Sequence, residues 1–148
     1  MNSRFNDENL RLTHFETEVH VSCPKCAKKA IATVDYEKKE ARLYCLFCGY
    51  NKTTDTELSY FGLSGNFKVA ASSYFDVGLW YAVPFKGDYF IAYNEKHLDY
   101  LEQYISAKLR EHKDRSHFTL LEKLPKFYHE AKNRKALLEI IKKLRLKK

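Results

Sequence analysis

The chain has 148 residues, of which 45% are hydrophobic and 15% aromatic, which is enough apolar material for a folded core of ordinary domain size. Its net charge of +7 is uneven, because residues 123–148 carry ten lysines and arginines against two glutamates. No apolar run approaches the ~18 residues that a membrane-spanning helix needs. Residues 1–9 also lack the apolar segment of a secretory signal. We therefore expect a cytoplasmic protein with a localised basic region.

The N-terminal half is predicted to contain a short β module. Residues 1–18 are polar and are predicted to be a flexible N-terminal segment. Short strands are predicted at 19–21, 28–36 and 40–44, where apolar and polar residues alternate. Residues 51–73 are rich in Asn, Thr, Ser and Gly, so the part from 55 to 73 is predicted to be a linker or loop.

Residues 74–148 are predicted to form a β-hairpin followed by a helical region. The hairpin joins strands at 79–85 and 89–93 through a turn that contains Gly87. Pro84 lies near the end of the first strand and indicates an edge strand. The predicted fold class is therefore α+β, with a small antiparallel β element before C-terminal helices.

Three helices are predicted after the hairpin. Residues 95–112 carry Leu98, Leu101, Ile105 and Leu109 at helical spacing. A short helix is predicted at 116–124, and a last helix at 134–146 has an apolar stripe that ends at Leu144.

The four cysteines form the strongest motif of the chain. Cys23-Pro24-Lys25-Cys26 and Cys45-Leu46-Phe47-Cys48 are separated by eighteen residues. Two thiolates two residues apart can reach one metal ion from a single tight turn, and two such turns supply four sulfurs. We expect one structural zinc, with iron as the less favoured metal and with disulfides or free thiols as the remaining alternatives. Gly49 suits the positive φ that the residue after the second cysteine of such a turn often needs.

Residues 19–54 resemble the zinc-ribbon superfamily, which implies two short strands that place the cysteine turns side by side. Residues 79–146 are similar to small uncharacterised bacterial zinc-ribbon proteins. The similar stretches include Ala92-Tyr93-Asn94-Glu95, Leu124-Pro125-Lys126-Phe127 and Ala131-Lys132-Asn133-Arg134. This resemblance implies that the ribbon and the helical part form one unit. It implies no particular activity.

No motif of the sequence predicts catalysis. A zinc ion held by four cysteines has no open coordination position for water or substrate. The chain has no Walker-type loop, GxGxxG, HExxH or GxSxG motif. We therefore expect a non-enzymatic protein.

The basic region and an aromatic cluster are candidate binding surfaces. We predict nucleic-acid phosphate contacts by basic residues near the C-terminus: Lys132, Arg134, Lys135, Lys142, Lys143 and Arg145. Trp80 and Tyr81 are weaker candidates for stacking on bases, and the alternative is that these rings belong to the core. The basic helix face also has an alternative interpretation, namely a solvated face that keeps the protein in solution and binds no partner.

The leading hypothesis is a nucleic-acid-binding protein, either for DNA or for RNA. The alternative is an adaptor that joins a larger bacterial complex and binds an acidic protein surface. The sequence leaves both hypotheses open.

Overall fold

The computed structural model describes residues 4–6, 15–106, 109–111 and 124–148. The chain divides into two compact units. One comprises residues 15–94, and the other contains α1 (Glu95–Ser106), α2 (Arg134–Leu146) and the N-terminal strand β1 (Arg4–Asn6). The first unit is built from antiparallel strands and the second from two helices, so the α+β prediction is confirmed.

A four-stranded antiparallel sheet forms the centre of the first unit. Its strands are β2 (Glu18–Ser22), β3 (Lys29–Asp35), β4 (Glu40–Tyr44) and β5 (Asn51–Asp55), in that spatial order. In the register of the sheet, Ala32 lies opposite both Val19 and Leu43. The three strands predicted between residues 19 and 44 are thus present.

Alternation along these strands places one face of the sheet in the core. Ala30, Ala32 and Val34 of β3 are buried, while the residues between them are half-buried. Cys23 and Cys45 belong to the same buried cluster as Val19 and Leu43. The four-cysteine site is therefore continuous with the apolar core of this unit.

The two outer edges of the sheet differ. The edge of β2 is covered by later parts of the chain through backbone hydrogen bonds: Trp80 N–H donates to the His20 carbonyl (2.9 Å), and Ser22 N–H donates to the Gly78 carbonyl (3.0 Å). His20 N–H donates to the Tyr93 carbonyl at 2.6 Å. In the described residues β5, at the opposite edge, has no partner strand on its outer side.

Residues 55–73, which we predicted to be a linker or loop, contain a second hairpin. β6 (Glu57–Tyr60) pairs with β7 (Leu63–Asn66), and a 3-10 helix follows at Ala71–Tyr74. The turn residues Phe61 and Gly62 both have positive φ, 51° and 81°, as a type I′ turn requires. Serine, glycine and asparagine have low strand propensity, which explains why the composition did not predict these strands.

The predicted hairpin after residue 74 is confirmed as β8 (Tyr81–Phe85) and β9 (Asp88–Ala92). Its turn contains Lys86 and Gly87, both at positive φ. This hairpin lies in the same unit as the cysteine sheet, whereas the predicted segmentation placed it with the helices.

The second unit has an apolar core contributed by both helices and by a 3-10 helix at Lys126–His129. Its buried members are Leu98, Tyr100, Leu101, Tyr104, Ile105, Phe127, Tyr128, Leu137, Ile141 and Leu144. The Tyr104 hydroxyl is hydrogen-bonded to His129 Nδ1 at 2.6 Å. The predicted final helix is confirmed. Its predicted apolar stripe comprises Leu137, Ile140, Ile141 and Leu144, of which all but the half-buried Ile140 are buried in this core.

The helix predicted at 95–112 is shorter than expected. α1 ends at Ser106, and a strand, β10 (Leu109–Glu111), pairs in parallel with β1. The Ser106 hydroxyl donates to the Glu102 carbonyl at 2.8 Å, and this contact competes with continued helix at that point. The short helix predicted at 116–124 lies outside the described residues, apart from Leu124.

Candidate metal centre

The first cysteine pair lies on a tight turn between β2 and β3. Cys23 N–H donates to the Lys28 carbonyl at 2.7 Å, and Ala27 N–H donates to the Cys23 carbonyl at 2.9 Å. These two bonds close the turn on itself, so the Cα–Cβ directions of Cys23 and Cys26 are fixed by the backbone rather than by side-chain packing.

The second pair repeats the arrangement between β4 and β5. Cys45 N–H donates to the Tyr50 carbonyl at 2.9 Å, and Gly49 N–H donates to the Cys45 carbonyl at 2.9 Å. The residue after the second cysteine has positive φ in both turns, 63° at Ala27 and 81° at Gly49. The expectation for Gly49 is confirmed, and Ala27 adopts the same conformation despite its Cβ.

The two turns bring four sulfur atoms together. The Sγ atoms of Cys23, Cys26, Cys45 and Cys48 all lie within 4.8 Å of one another. Cys23 Sγ is 3.7 Å from Cys48 Sγ, and Cys26 Sγ is 3.6 Å from Cys45 Sγ. These separations exceed a disulfide bond of about 2.0 Å. They match the edge of about 3.8 Å of a tetrahedron whose four sulfurs lie about 2.3 Å from its centre.

Backbone groups around the sulfurs favour negative charge there. The Lys25 N–H donates to Cys23 Sγ at 3.4 Å. Burial raises the pKa of the Cys23 thiol, but hydrogen bonds from the Cys26 and Lys25 backbones and from neighbouring thiols outweigh burial and lower the pKa to about 7. Burial and the adjacent sulfurs raise the pKa of Cys26 to about 12. A negative charge is therefore favoured at Cys23, whereas at Cys26 it is disfavoured unless a cation lies among the sulfurs.

The four cysteines are thus positioned to hold one metal ion. Four thiolates form a soft donor set, and a tetrahedral shell of four protein ligands has no position for water or substrate. The four cysteines lie in the turns that connect β2 to β3 and β4 to β5, at one end of the sheet.

The basic residues predicted to contact phosphate fall into two groups. Lys135, Lys142 and Lys143 are exposed on α2 and form no ion pair with any other described residue. Arg134 is half-buried, and its Nε has no hydrogen-bond partner among the described residues.

The other two predicted cations are paired with carboxylates. Arg145 contacts Glu102 at 2.8 Å and also Asp99, both on α1. Lys132 Nζ lies 3.4 Å from Glu130. The Arg145 guanidinium group is therefore already paired with two carboxylates, and its contact with phosphate stays a prediction. That pairing spans more than forty residues of sequence and could not be read from helical spacing.

Trp80 and Tyr81 are both only 2% exposed, so neither presents a ring face for stacking on a base. The bridge between Val21 and Leu79 and the hydrogen bond from Trp80 N–H to the His20 carbonyl place this part of the chain along the edge of β2. The Tyr81 hydroxyl accepts a hydrogen bond from Lys29 Nζ at 3.3 Å. The prediction of base stacking at these two residues is corrected, and the core alternative holds for them.

Exposed aromatic rings occur elsewhere in this unit, at Phe47, Phe61 and Tyr89. Phe47 lies inside the second cysteine turn and is not among the binding residues predicted from the sequence. The exposure of Phe47 could have been predicted, because in a tight turn whose two cysteines direct their sulfurs toward one site, the side chains between them point away from that site.

In the parts of the chain that the structure describes, no helix combines the length and the apolar character that crossing a bilayer requires. Comparisons of this chain with protein-family models, with curated proteins and with solved structures find no match.

Proposed function

We propose that the chain is a non-enzymatic nucleic-acid-binding protein that contains a zinc ribbon at residues 19–54 and contacts phosphates through α2. The supporting observation is the set of three exposed lysines on α2 that form no ion pair with a described residue, Lys135, Lys142 and Lys143.

The arrangement of α2 supports this role. Leu137, Ile141 and Leu144 face the core, so residues about half a turn away face solvent. At about 100° per residue, the three lysines fall on an arc opposite that stripe. Glu139 is the acidic residue on the same arc, so the exposed face keeps a net positive charge. A localised positive face attracts a polyanion and releases its counterions on binding.

Zinc is the proposed metal, in a structural role. Its binding free energy would stabilise the end of the sheet that the two cysteine turns form. Metal analysis of purified protein should give one zinc per chain. Iron, the alternative, would show thiolate-to-metal charge-transfer colour and one iron per chain instead.

Salt-dependent binding tests the proposed function. Fluorescence anisotropy with labelled duplex DNA, single-stranded DNA and RNA is measured between about 50 mM and about 200 mM salt. We expect affinity that falls steeply with salt. Replacing Lys135, Lys142 and Lys143 by glutamine should lower the slope of log K against log salt for duplex DNA by roughly 3.

A matched control separates a local contact from net charge. Replacing Lys38, Lys39 and Lys96, which are also exposed, removes the same three charges at other places. The α2 variant should lose more affinity and more slope than this control. Equal losses in the two variants, or no binding of the unaltered protein at about 50 mM salt, would refute the proposal that α2 contacts phosphates.

A second candidate function is a protein–protein adaptor, and one observation favours it. The tip of the β6–β7 hairpin places Phe61 and Leu63 in solvent, and exposed apolar groups of this kind mark protein contacts. Capture of partners from cell extract, with and without nuclease, distinguishes the candidates. Partners that persist after nuclease and are lost in Phe61→Ser would favour the adaptor, whereas partners released by nuclease would favour nucleic acid.

A further inference from the structure

The second cysteine turn exposes two large apolar side chains. Leu46 is 84% exposed and Phe47 is 73% exposed, although Cys45, the preceding residue, is buried. We call the surface formed by Lys25, Lys28, Leu46 and Phe47 the knuckle tip. Because the backbone of both turns is fixed by hydrogen bonds, these side chains are presented on a rigid support.

One lysine lies over the exposed ring. Lys28 Nζ lies 5.5 Å from the centre of the Phe47 ring, within range of a cation–π contact. Lys25 and Lys28 are exposed, and neither forms an ion pair with a described residue. The knuckle tip thus combines an open aromatic surface with two ammonium groups.

The charges of the sheet are separated along its strands. Asp35, Glu40 and Asp55 occupy one row of the register, at the end remote from the cysteines. The segment 22–30 at the cysteine end contains three lysines and no acidic residue. The seven residues of β3 separate the two ends by about 20 Å. Basic side chains are therefore present at the cysteine end of the sheet, and acidic side chains form the row at its other end.

We propose that the knuckle tip binds an unpaired stretch of nucleic acid, with one base stacked on Phe47 and the adjoining phosphates at Lys25 and Lys28. A single strand presents both a free base face and phosphates, whereas a duplex keeps its base faces stacked inside. The inference rests on the proposed function and deepens it, because it specifies single-stranded nucleic acid as the ligand of this surface.

Two substitutions at one position test the stacking. Phe47→Leu keeps an apolar side chain without the ring and should weaken binding of a short single-stranded oligonucleotide roughly 5- to 150-fold, the range for one stacked base. Phe47→Trp should keep the affinity. Phe61→Leu is the matched control, because it alters an exposed ring over which no described lysine lies, and it should leave affinity unchanged. Zinc content is measured for every variant.

Fluorescence of the Phe47→Trp variant gives an independent readout. The chain has a single tryptophan, Trp80, which is buried and supplies a constant background. Stacking should quench the new exposed tryptophan when single-stranded DNA or RNA is added. Duplex of the same length should quench it far less.

The outcomes separate this inference from the proposed function. Binding that is the same in Phe47→Leu and in the unaltered protein, or a bound Phe47→Trp protein without quenching, overturns the knuckle-tip site and leaves binding by α2 standing. Absence of any nucleic-acid binding at about 50 mM salt overturns both. Loss of single-strand affinity in Phe47→Leu, with zinc content and duplex affinity retained, supports the site.

Discussion

Lowering the pH should destabilise the protein through His97. This residue of α1 is 1% exposed, and burial lowers the pKa of its imidazole from 6.5 to about 4. In the unfolded chain the ring regains its ordinary pKa, so between these two values the unfolded state binds more protons. The stability that depends on neutral His97 is therefore complete above pH 6.5 and is lost as the pH falls toward 4.

The size of the stability loss follows from the lowered pKa of His97. Two and a half pH units at about 1.36 kcal/mol per unit set an upper limit near 3.4 kcal/mol, of which about 3 kcal/mol is lost between pH 7 and pH 4. Loss of that size is a large fraction of the stability of a small protein.

Urea unfolding of the protein and of His97→Gln at several pH values measures the effect. Acid also protonates the cysteine ligands, but it does so in both chains, so the difference between their pH dependences isolates His97. NMR titration of the His97 ring provides a direct check, with no protonation expected until below about pH 5. Ring titration near 6.5, or identical pH dependence of the two chains, would refute the reasoning.

Three further predictions concern the cysteine turns and the helix pair. Cys45→Ser removes one of four ligands, so zinc content and melting temperature should fall, and unchanged values of both would contradict the four-cysteine site. Ala27→Gly relieves positive φ at 63° and should raise the free energy of unfolding of the zinc-loaded protein by about 0.5–1 kcal/mol, whereas Ala27→Val should lower it. Arg145→Gln leaves Asp99 and Glu102 unpaired, but all three side chains are partly exposed, so urea unfolding should show a loss of no more than about 1 kcal/mol, which shrinks in high salt.

The clustering of the four cysteines could be predicted from sequence because the geometry of each cysteine pair is local. Two residues between cysteines in a tight turn fix how close two thiolates lie, and the strands between the pairs follow from alternation. Gly49 was predicted for the same reason. Ala27 shows the limit of that argument, because hydrogen bonds of the turn impose positive φ on a residue whose identity does not demand it.

Features that depend on distant contacts could not be predicted. The sequence left both base stacking and core burial open for Trp80, because the choice depends on contacts with distant residues such as the bridge of its neighbour Leu79 to Val21. The pairing of Arg145 with α1 likewise depends on how the two helices pack. Periodicity identified the apolar face of α2, but it could not show which neighbouring cations meet carboxylates.

In the part of the chain that the structure describes, the outer edge of β5 is unpaired, and this has a consequence for behaviour at high concentration. An unpaired strand edge is a template on which a second copy can add its own strand, and extended aggregates grow in this way. The sequence of β5, Asn-Lys-Thr-Thr-Asp, is polar throughout, and Lys52 on one copy would meet the like charge on another if the edges approached in register. Self-association along this edge is therefore disfavoured by charge and composition, and replacing Lys52 and Thr53 with valine and isoleucine would turn the same edge into a site of aggregation.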